Sequence, residues 1–132
     1  MNTVTQHELA VRQTVQRLQK MGVVVGRNIK DADLVADGKS VKVKTSAGAR
    51  KNRFGDSFSW LFYLGKEKRA DVYVLYIPPN KRLGFGVGLW LVVPGSELKA
   101  QTIYVSVRSL VSRWAPQVDR WDLIRRNGKA AK

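Results

Sequence analysis

The residues best suited to chemistry in this sequence surround an Asp-Gly turn. Asp37-Gly38 stands between two short apolar-rich runs, which is the strongest short-range signal for a β-hairpin. A two-residue turn at this point places Lys42 opposite Asp33. Because side chains alternate along a strand, Lys44 shares the face of Lys42. We expect this face to meet solvent or a ligand, and one carboxylate beside two ammonium groups favours an anion over a cation.

The net charge indicates the kind of anion. The 132 residues include 24 Lys and Arg against 10 Asp and Glu, which gives a formal charge of +14 and a pI near 10.6. A globular domain this basic usually binds a polyanion, because neutralising phosphates releases condensed counterions. We therefore expect nucleic acid as the partner, most simply DNA, and no membrane. The plainer alternative is a surface whose charge only keeps the protein in solution.

Composition excludes several classes of site. The chain has no cysteine, so disulfides and thiolate metal sites are excluded, and its single histidine, His7, cannot build a histidine-rich centre. A hydrophobic content of 44% in 132 residues suits one domain with a core, which we place at residues 1–124. Residues 125–132 form a basic tail. With no signal-peptide pattern and no long apolar run, a cytoplasmic protein is expected.

Two basic segments follow the hairpin and are candidates for phosphate contact. Residues 46–53 are small and polar with three cations and predict a loop, and residues 66–69 predict a basic connector. A solvated loop is an equally good interpretation of the first segment. The candidate nucleic-acid-binding residues are Lys42, Lys44, Arg50, Lys51, Arg53, Lys66, Lys68 and Arg69.

The elements that must position these residues follow from the hydrophobic pattern. Around the hairpin we predict a helix over 5–21, ended by Gly22, and a strand that begins at 23–25. A second helix is expected over 58–64, because its five large apolar residues suit a packed helix. Strands are predicted over 72–77, 85–93 and 102–107, and short helices over 109–114 and 118–124. Glycines 84, 86 and 88 alternate along one strand, which suggests close approach of another backbone.

With these elements in order, the chain resembles the PD-(D/E)XK nuclease superfamily. Asp33-Leu34-Val35 resembles the first acidic motif, and Lys42-Val43-Lys44-Thr45-Ser46 resembles the second, written acid-x-lysine. The segments 71–77, 89–94 and 120–124 resemble the distal half of small members. The resemblance implies an α/β, restriction-endonuclease-like fold: a single domain with a central mixed β-sheet flanked by helices.

The resemblance also implies roles for individual residues. Asp33 would be a metal ligand and Lys44 the motif lysine that orients the attacking water. A glutamate on the first helix often joins this set, which makes Glu8 a second metal ligand and completes the catalytic candidates Asp33, Lys42, Lys44 and Glu8. The cofactor would be Mg²⁺ or Mn²⁺, and the active form a homodimer. Glu8 also fits a capping box with Thr5, and this interpretation is the stronger of the two.

Lys42 departs from the family pattern, because it occupies the second acidic position. Mg²⁺ prefers oxygen ligands, so an ammonium group there removes a ligand and adds a like charge. Another acid could substitute, and Asp31, Asp37, Glu67 and Asp71 are the candidates. The functional hypotheses are a metal-dependent DNA endonuclease, inactive if Lys42 abolishes the site, a non-catalytic nucleic-acid-binding protein on the same scaffold, and a basic component of a nucleoprotein assembly.

Overall fold

The computed structural model describes residues 6–27, 34–46, 50–51, 58–64, 70–80, 86–110 and 112–124. Its helices are α1 (Gln6–Lys20) and the short α2 (Val107–Leu110), and single 3₁₀ turns lie at Gly95–Glu97, Ala115–Gln117 and Trp121–Leu123. The strands are β1 (Val25–Arg27), β2 (Leu34–Ala36), β3 (Lys39–Thr45), β4 (Arg50–Lys51), β5 (Phe58–Tyr63), β6 (Val72–Ile77), β7 (Leu89–Pro94) and β8 (Thr102–Ser106). The predicted tail at 125–132 lies outside the described residues.

The predicted hairpin is confirmed. Asp37 and Gly38 both have positive φ, 48° and 84°, as a two-residue type I′ turn requires. Leu34 of β2 then pairs with Val41 of β3, in the register that the two-residue turn predicts. Asp37 also ties the turn to the chain before β1: its carboxylate accepts from the Val24 N–H at 3.0 Å, and its own N–H donates to the Val24 carbonyl at 2.9 Å.

The hairpin lies in a five-stranded mixed sheet, as expected. The strand order is β1-β2-β3-β6-β7; β3 and β6 are parallel and every other neighbouring pair is antiparallel. β6 is buried along most of its length, which confirms the prediction of a strand covered on both faces. β7 forms the edge of this sheet.

Each face of the sheet has its own core. On one face α1 packs over Val41 and Val43 of β3 and their neighbours in β6. On the other face Tyr73 and Leu75 of β6 pack against Trp60 and the rest of a second sheet. This second sheet has the order β4-β5-β8 and is antiparallel. The domain is therefore an α/β sandwich with a helix on one side and a small sheet on the other.

The prediction of a helix over 58–64 is wrong, because Phe58–Tyr63 forms strand β5. Its burial alternates: Trp60, Phe62 and Leu64 are buried, whereas Tyr63 is 62% exposed. Alternation of this kind is the signature of a half-buried strand. The segment pairs with β8, about forty residues later in the chain, and this partner overrides the local preference.

The first helix and its end are close to the prediction. α1 ends in a turn in which Gly22 has a φ of 81° and donates its N–H to the Gln19 carbonyl at 3.0 Å, while the Val23 N–H donates to the Leu18 carbonyl at 3.0 Å. This pair of bonds is the Schellman motif, which needs a residue with positive φ after the helix. Because it uses the Val23 N–H, strand β1 begins at Val25 and not at Val23. The predicted cap at Thr5 lies outside the described residues.

The glycines before β7 do not have the predicted role. The strand begins at Leu89, so Gly86 and Gly88 precede it, and Gly84 lies outside the described residues. A side chain at Gly88 would overlap the ring of Tyr76, and Gly86 has open space around its Cα. The neighbour is thus an aromatic side chain and not a backbone. A close approach to backbone occurs instead at Gly95, against the carbonyl of Ala70.

The C-terminal segment packs back on the sheet as expected, but on both faces. Of the helix predicted over 109–114, the described residues show the last two residues of α2 and a turn. The helix predicted over 118–124 is a single 3₁₀ turn at Trp121–Leu123. Trp114 is buried in the core beneath the second sheet, whereas Trp121 and Ile124 join the core beneath α1. Along the parts of the chain seen in the structure, no helix is both long and apolar enough to cross a bilayer.

Candidate catalytic and nucleic-acid site

Strand β3 brings Lys42 and Lys44 to one face of the central sheet. In the parallel pairing with β6, Lys42 lies beside Tyr73 and Lys44 beside Leu75. Tyr73 and Leu75 belong to the core under the second sheet, so both lysines extend towards that sheet. Val43, between them, extends towards α1. The amphipathic alternation that the sequence predicts is therefore present.

The lysine face is covered more than the sequence predicted, because we expected both lysines to meet solvent or a ligand. Lys42 is only 6% exposed and Lys44 is half-buried. The cause is the second sheet, whose strand β5 contacts β3 on this side. Burial of an ammonium group is costly unless anionic or hydrogen-bonding partners compensate it, and lysine is rarely this buried. Two cations in the seam between the two sheets are suited to bind an anion that enters this seam.

Two anchors, each a set of side-chain hydrogen bonds, hold the start of β3 in place. Neither set of contacts could be predicted from the sequence. The Asp71 carboxylate accepts from the Ser40 N–H at 2.9 Å and from its hydroxyl at 3.2 Å, and the Asp71 N–H donates to the Ser40 hydroxyl at 2.8 Å. These bonds align the beginnings of β3 and β6 and so fix the register of the two lysines. Because its carboxylate holds this register, Asp71 has a structural role. If the carboxylate bound a metal instead, the hydrogen bonds that align β3 with β6 would be lost.

The second anchor joins β3 to the end of the described chain. The ammonium of Lys39 donates to the carbonyls of Leu123 and Ile124 at 3.1 and 3.2 Å. These carbonyls end a 3₁₀ turn, where a cation satisfies otherwise unpaired acceptors. Lys39 is therefore engaged in holding the C-terminal turn. Its partners are more than eighty residues away, so no local sequence signal could identify the contact.

The acidic candidates do not form a metal centre in the part of the chain that the structure describes. Glu8 is exposed in the first turn of α1, and α1 covers the face of the sheet opposite to the lysines. Asp37 belongs to the hairpin turn, and Asp33, Asp31 and Glu67 lie outside the described residues. Among the described residues, no three Asp, Glu or His side chains cluster. Within the described ranges, the acidic candidates therefore do not supply a complete set of oxygen ligands for a divalent cation.

Half of the predicted basic contacts are not among the residues that the structure describes. Arg53, Lys66, Lys68 and Arg69 lie outside the described residues. The backbone of Arg50 and Lys51 forms β4, which pairs with β5 at the edge of the second sheet. The prediction of a loop across residues 46–53 is therefore wrong at these two positions, because β5 offers them a pairing partner.

Comparisons with known proteins support the fold. No protein-family model matches the chain, and no curated protein matches it. Among solved structures, the chain is similar to a bacterial homing endonuclease, I-Ssp6803I, with a TM-score of 0.65 and 22% sequence identity. The similarity covers 98% of this chain and 96% of that one. At this identity the comparison shows a shared fold, and it extends over the whole domain.

Proposed function

We propose that the chain is a DNA endonuclease that hydrolyses phosphodiester bonds. The observation that supports this function best is the likeness of fold to an endonuclease over 98% of the chain. The charge of +14 is consistent with a polyanionic substrate, and the two lysines of β3 provide a cationic position at the seam between the sheets. The finer assignment, to the PD-(D/E)XK superfamily, rests on the sequence motifs.

In this proposal the lysines stabilise charge on the reacting phosphate. Attack of water on a phosphodiester builds negative charge on the phosphate oxygens, and a preorganised ammonium group in a water-poor site stabilises that charge more than it would in bulk water. Lys44 is half-buried and therefore accessible to a substrate phosphate, so we assign it the main catalytic role. Lys42, deeper in the seam, would add to the local positive potential.

The metal is a separate part of the proposal. Mg²⁺ or Mn²⁺ would be held by Asp33 and Glu8, following the family pattern. Glu8→Gln distinguishes this role from capping, because glutamine serves equally well at the third position of a capping box but is a poor ligand for Mg²⁺. If Glu8 is a ligand, Glu8→Gln retains the wild-type melting temperature and loses metal-dependent cleavage. If Glu8 only caps the helix, both are retained.

The function is tested by incubating the protein with plasmid and with branched DNA in Mg²⁺ or Mn²⁺. We expect cleavage that is lost in Asp33→Ala and in Lys44→Ala. Exposed Lys99 provides a matched control, because Lys99→Ala removes the same charge far along the chain from the motifs. Cleavage that survives Asp33→Ala and Lys44→Ala would remove these residues from the site. The resemblance also implies a homodimer, which sedimentation of the free and DNA-bound protein tests.

A non-catalytic DNA-binding protein on the same scaffold is the second candidate. The buried position of Lys42, where a carboxylate is expected, favours it. A binding protein of this kind would show no cleavage with any divalent cation. Its affinity for duplex DNA would still fall steeply with salt, with a slope of log K against log salt of about 0.9 per contacted phosphate. Affinity independent of ionic strength would exclude both candidates.

A further inference from the structure

A second site lies on the other face of the central sheet. A cleft of about 350 Å³ opens between α1 and the β6–β7 edge, and three of its lining residues are Tyr76, Trp90 and Trp121. These aromatic residues pack with the core beneath α1, whereas Lys42 and Lys44 extend from the opposite face. This aromatic cleft is therefore separate from the candidate catalytic site. Its volume is at the lower end of the range for small-ligand pockets.

The three rings are in contact with one another, with their planes tilted by 39° and 54°. The ring centres of Tyr76 and Trp90 are 4.3 Å apart with planes inclined by 39°, and those of Trp90 and Trp121 are 5.7 Å apart. Trp121 is buried, and its indole N–H donates to the Asp119 carboxylate at 3.1 Å. Trp90 is half-buried and lines the cleft. Its ring therefore packs against Trp121 and is still accessible to a ligand. The missing side chain at Gly88 leaves room for the Tyr76 ring.

The other side of the aromatic cleft is polar and cationic. Gln13, Gln16, Arg17 and Lys20 line it from α1. Their spacing of three and four residues places them along one flank of the helix, beside the buried stripe, and all four are exposed. The guanidinium of Arg17 lies 5.6 Å from the centre of the Trp121 ring. Among the described residues that line the cleft, none is acidic.

An aromatic ring opposite two cations and two amides matches the chemistry of a nucleotide. Stacking on an aromatic side chain is the usual means of holding an unpaired base, and nearby cations hold its phosphate. The amides of Gln13 and Gln16 can both donate and accept hydrogen bonds at a base edge. Burial raises the pKa of the Tyr76 hydroxyl, so this group stays protonated and can also donate.

We infer that the aromatic cleft binds an unpaired nucleobase of a DNA strand, stacked on Trp90, with the adjoining phosphate held by Arg17 and Lys20. That the bound strand is DNA rests on the proposed function, whereas the assignment of the cleft as a base-binding site does not. Because the cleft and the lysines of β3 lie on opposite faces of the sheet, a base held here belongs to a DNA segment away from the cleaved bond. The protein would therefore prefer DNA that contains a single-stranded or extrahelical nucleotide.

Binding of three probes to the intact protein tests this inference: a short oligothymidylate, an oligonucleotide of the same length made of abasic sites, and thymidine monophosphate. The first two have the same phosphates and differ only in their bases. Stacking of one base corresponds to about 5- to 150-fold in affinity. We expect the abasic strand to bind more weakly by this factor. The affinity for thymidine monophosphate, compared with that for oligothymidylate, shows how much of the binding depends on more than one nucleotide.

Substitutions then assign the two halves of the aromatic cleft. Trp90→Ala should bring the affinity for oligothymidylate down to that of the abasic strand, and Trp90→Phe should retain most of the difference, which separates stacking from a folding defect. Arg17→Gln with Lys20→Gln should weaken both strands equally and lower the salt slope by about 0.7 per lost phosphate contact. Exposed Arg12 and Lys99 provide the control pair, since Arg12→Gln with Lys99→Gln removes the same charge outside the cleft.

Equal affinity of the wild-type protein for the base-bearing and abasic strands would overturn the inference, as would a preference that Trp90→Ala leaves unchanged. Plasmid cleavage measured on the same preparations separates this outcome from failure of the proposed function. Cleavage without a preference for bases refutes the aromatic cleft as a base site. A preference for bases without cleavage supports the cleft and contradicts the endonuclease.

Discussion

Replacing Lys42 with glutamate reverses the charge of a side chain that is only 6% exposed. The residue stands where the second motif of the PD-(D/E)XK nucleases, which the sequence resembles, has an acid. Residues two apart on one strand face are about 6.7 Å apart. At this distance two unit charges interact by about 2.5 kcal/mol at an effective dielectric of 20, which is an upper figure because lysine stems are flexible. In Lys42→Glu the repulsion of Lys44 becomes attraction of the same size, and a carboxylate becomes available to a divalent cation.

The expected result is a gain of metal binding that is visible without any substrate. A ligand that binds only the folded protein at ten times its dissociation constant stabilises it by about 1.4 kcal/mol. For a domain of this size that stabilisation raises the melting temperature by about 4–7 °C. We therefore expect Mg²⁺ to raise the melting temperature of Lys42→Glu by about this amount more than it raises that of the wild type.

Thermal melts with Mg²⁺ and with chelator, read by circular dichroism, provide the assay. Lys42→Gln is the control, because it removes the ammonium group without adding a carboxylate, and it should respond to Mg²⁺ no more than the wild type does. Plasmid cleavage by Lys42→Glu is the second readout. If the wild type is already stabilised by Mg²⁺ and Lys42→Glu adds nothing, residue 42 does not lie at the cation position.

Two further predictions concern the scaffold. Gly95→Ala should lower the free energy of unfolding by about 2–3 kcal/mol in urea, because its Cβ would meet the Ala70 carbonyl, whereas Gly26→Ala, with open space around it, should have little effect. Burial raises the pKa of Tyr76, so above pH 10 the unfolded chain loses this proton while the folded protein keeps it, and stability falls as pH rises. Tyr76→Phe should reduce that fall in alkaline melts, and equal slopes in the wild type and in Tyr76→Phe would contradict this.

The features that the sequence predicted correctly are those with local causes. The Asp37-Gly38 turn follows from the positive φ that both residues tolerate, and the β6 strand follows from a continuous β-branched and aromatic run. Gly22 ends α1 because the Schellman motif needs a residue at positive φ. In each case the sequence pattern that carries the prediction spans only a few residues.

The errors have distant causes. Phe58–Tyr63 is rich in large apolar residues, and only its pairing with β8 makes it a strand. Because this segment was predicted as a helix, the second sheet was not predicted. The burial of Lys42 beneath that sheet was therefore not predicted either. The sequence could show that Lys42 and Lys44 share a face. It could not show that another layer covers that face.

The aromatic cleft could not be predicted for the same reason. Arg17 and Lys20 lie on α1, Trp90 lies some seventy residues later on β7, and Trp121 follows thirty residues after that. They meet because β7 pairs with β6 at the edge of the sheet that α1 covers. The one local signal was the glycine at 88, and its neighbour proved to be the ring of Tyr76.

The central claim, that the lysine face of β3 is a site of phosphodiester hydrolysis, is tested most directly by the single-turnover cleavage rate of Lys44→Ala. Loss of one preorganised charge-stabilising group typically lowers a rate by about 10²- to 10³-fold. We predict a loss of that size in Lys44→Ala, with a wild-type rate in Lys99→Ala and salt-dependent DNA binding in both. Cleavage by Lys44→Ala at the wild-type rate would contradict the claim.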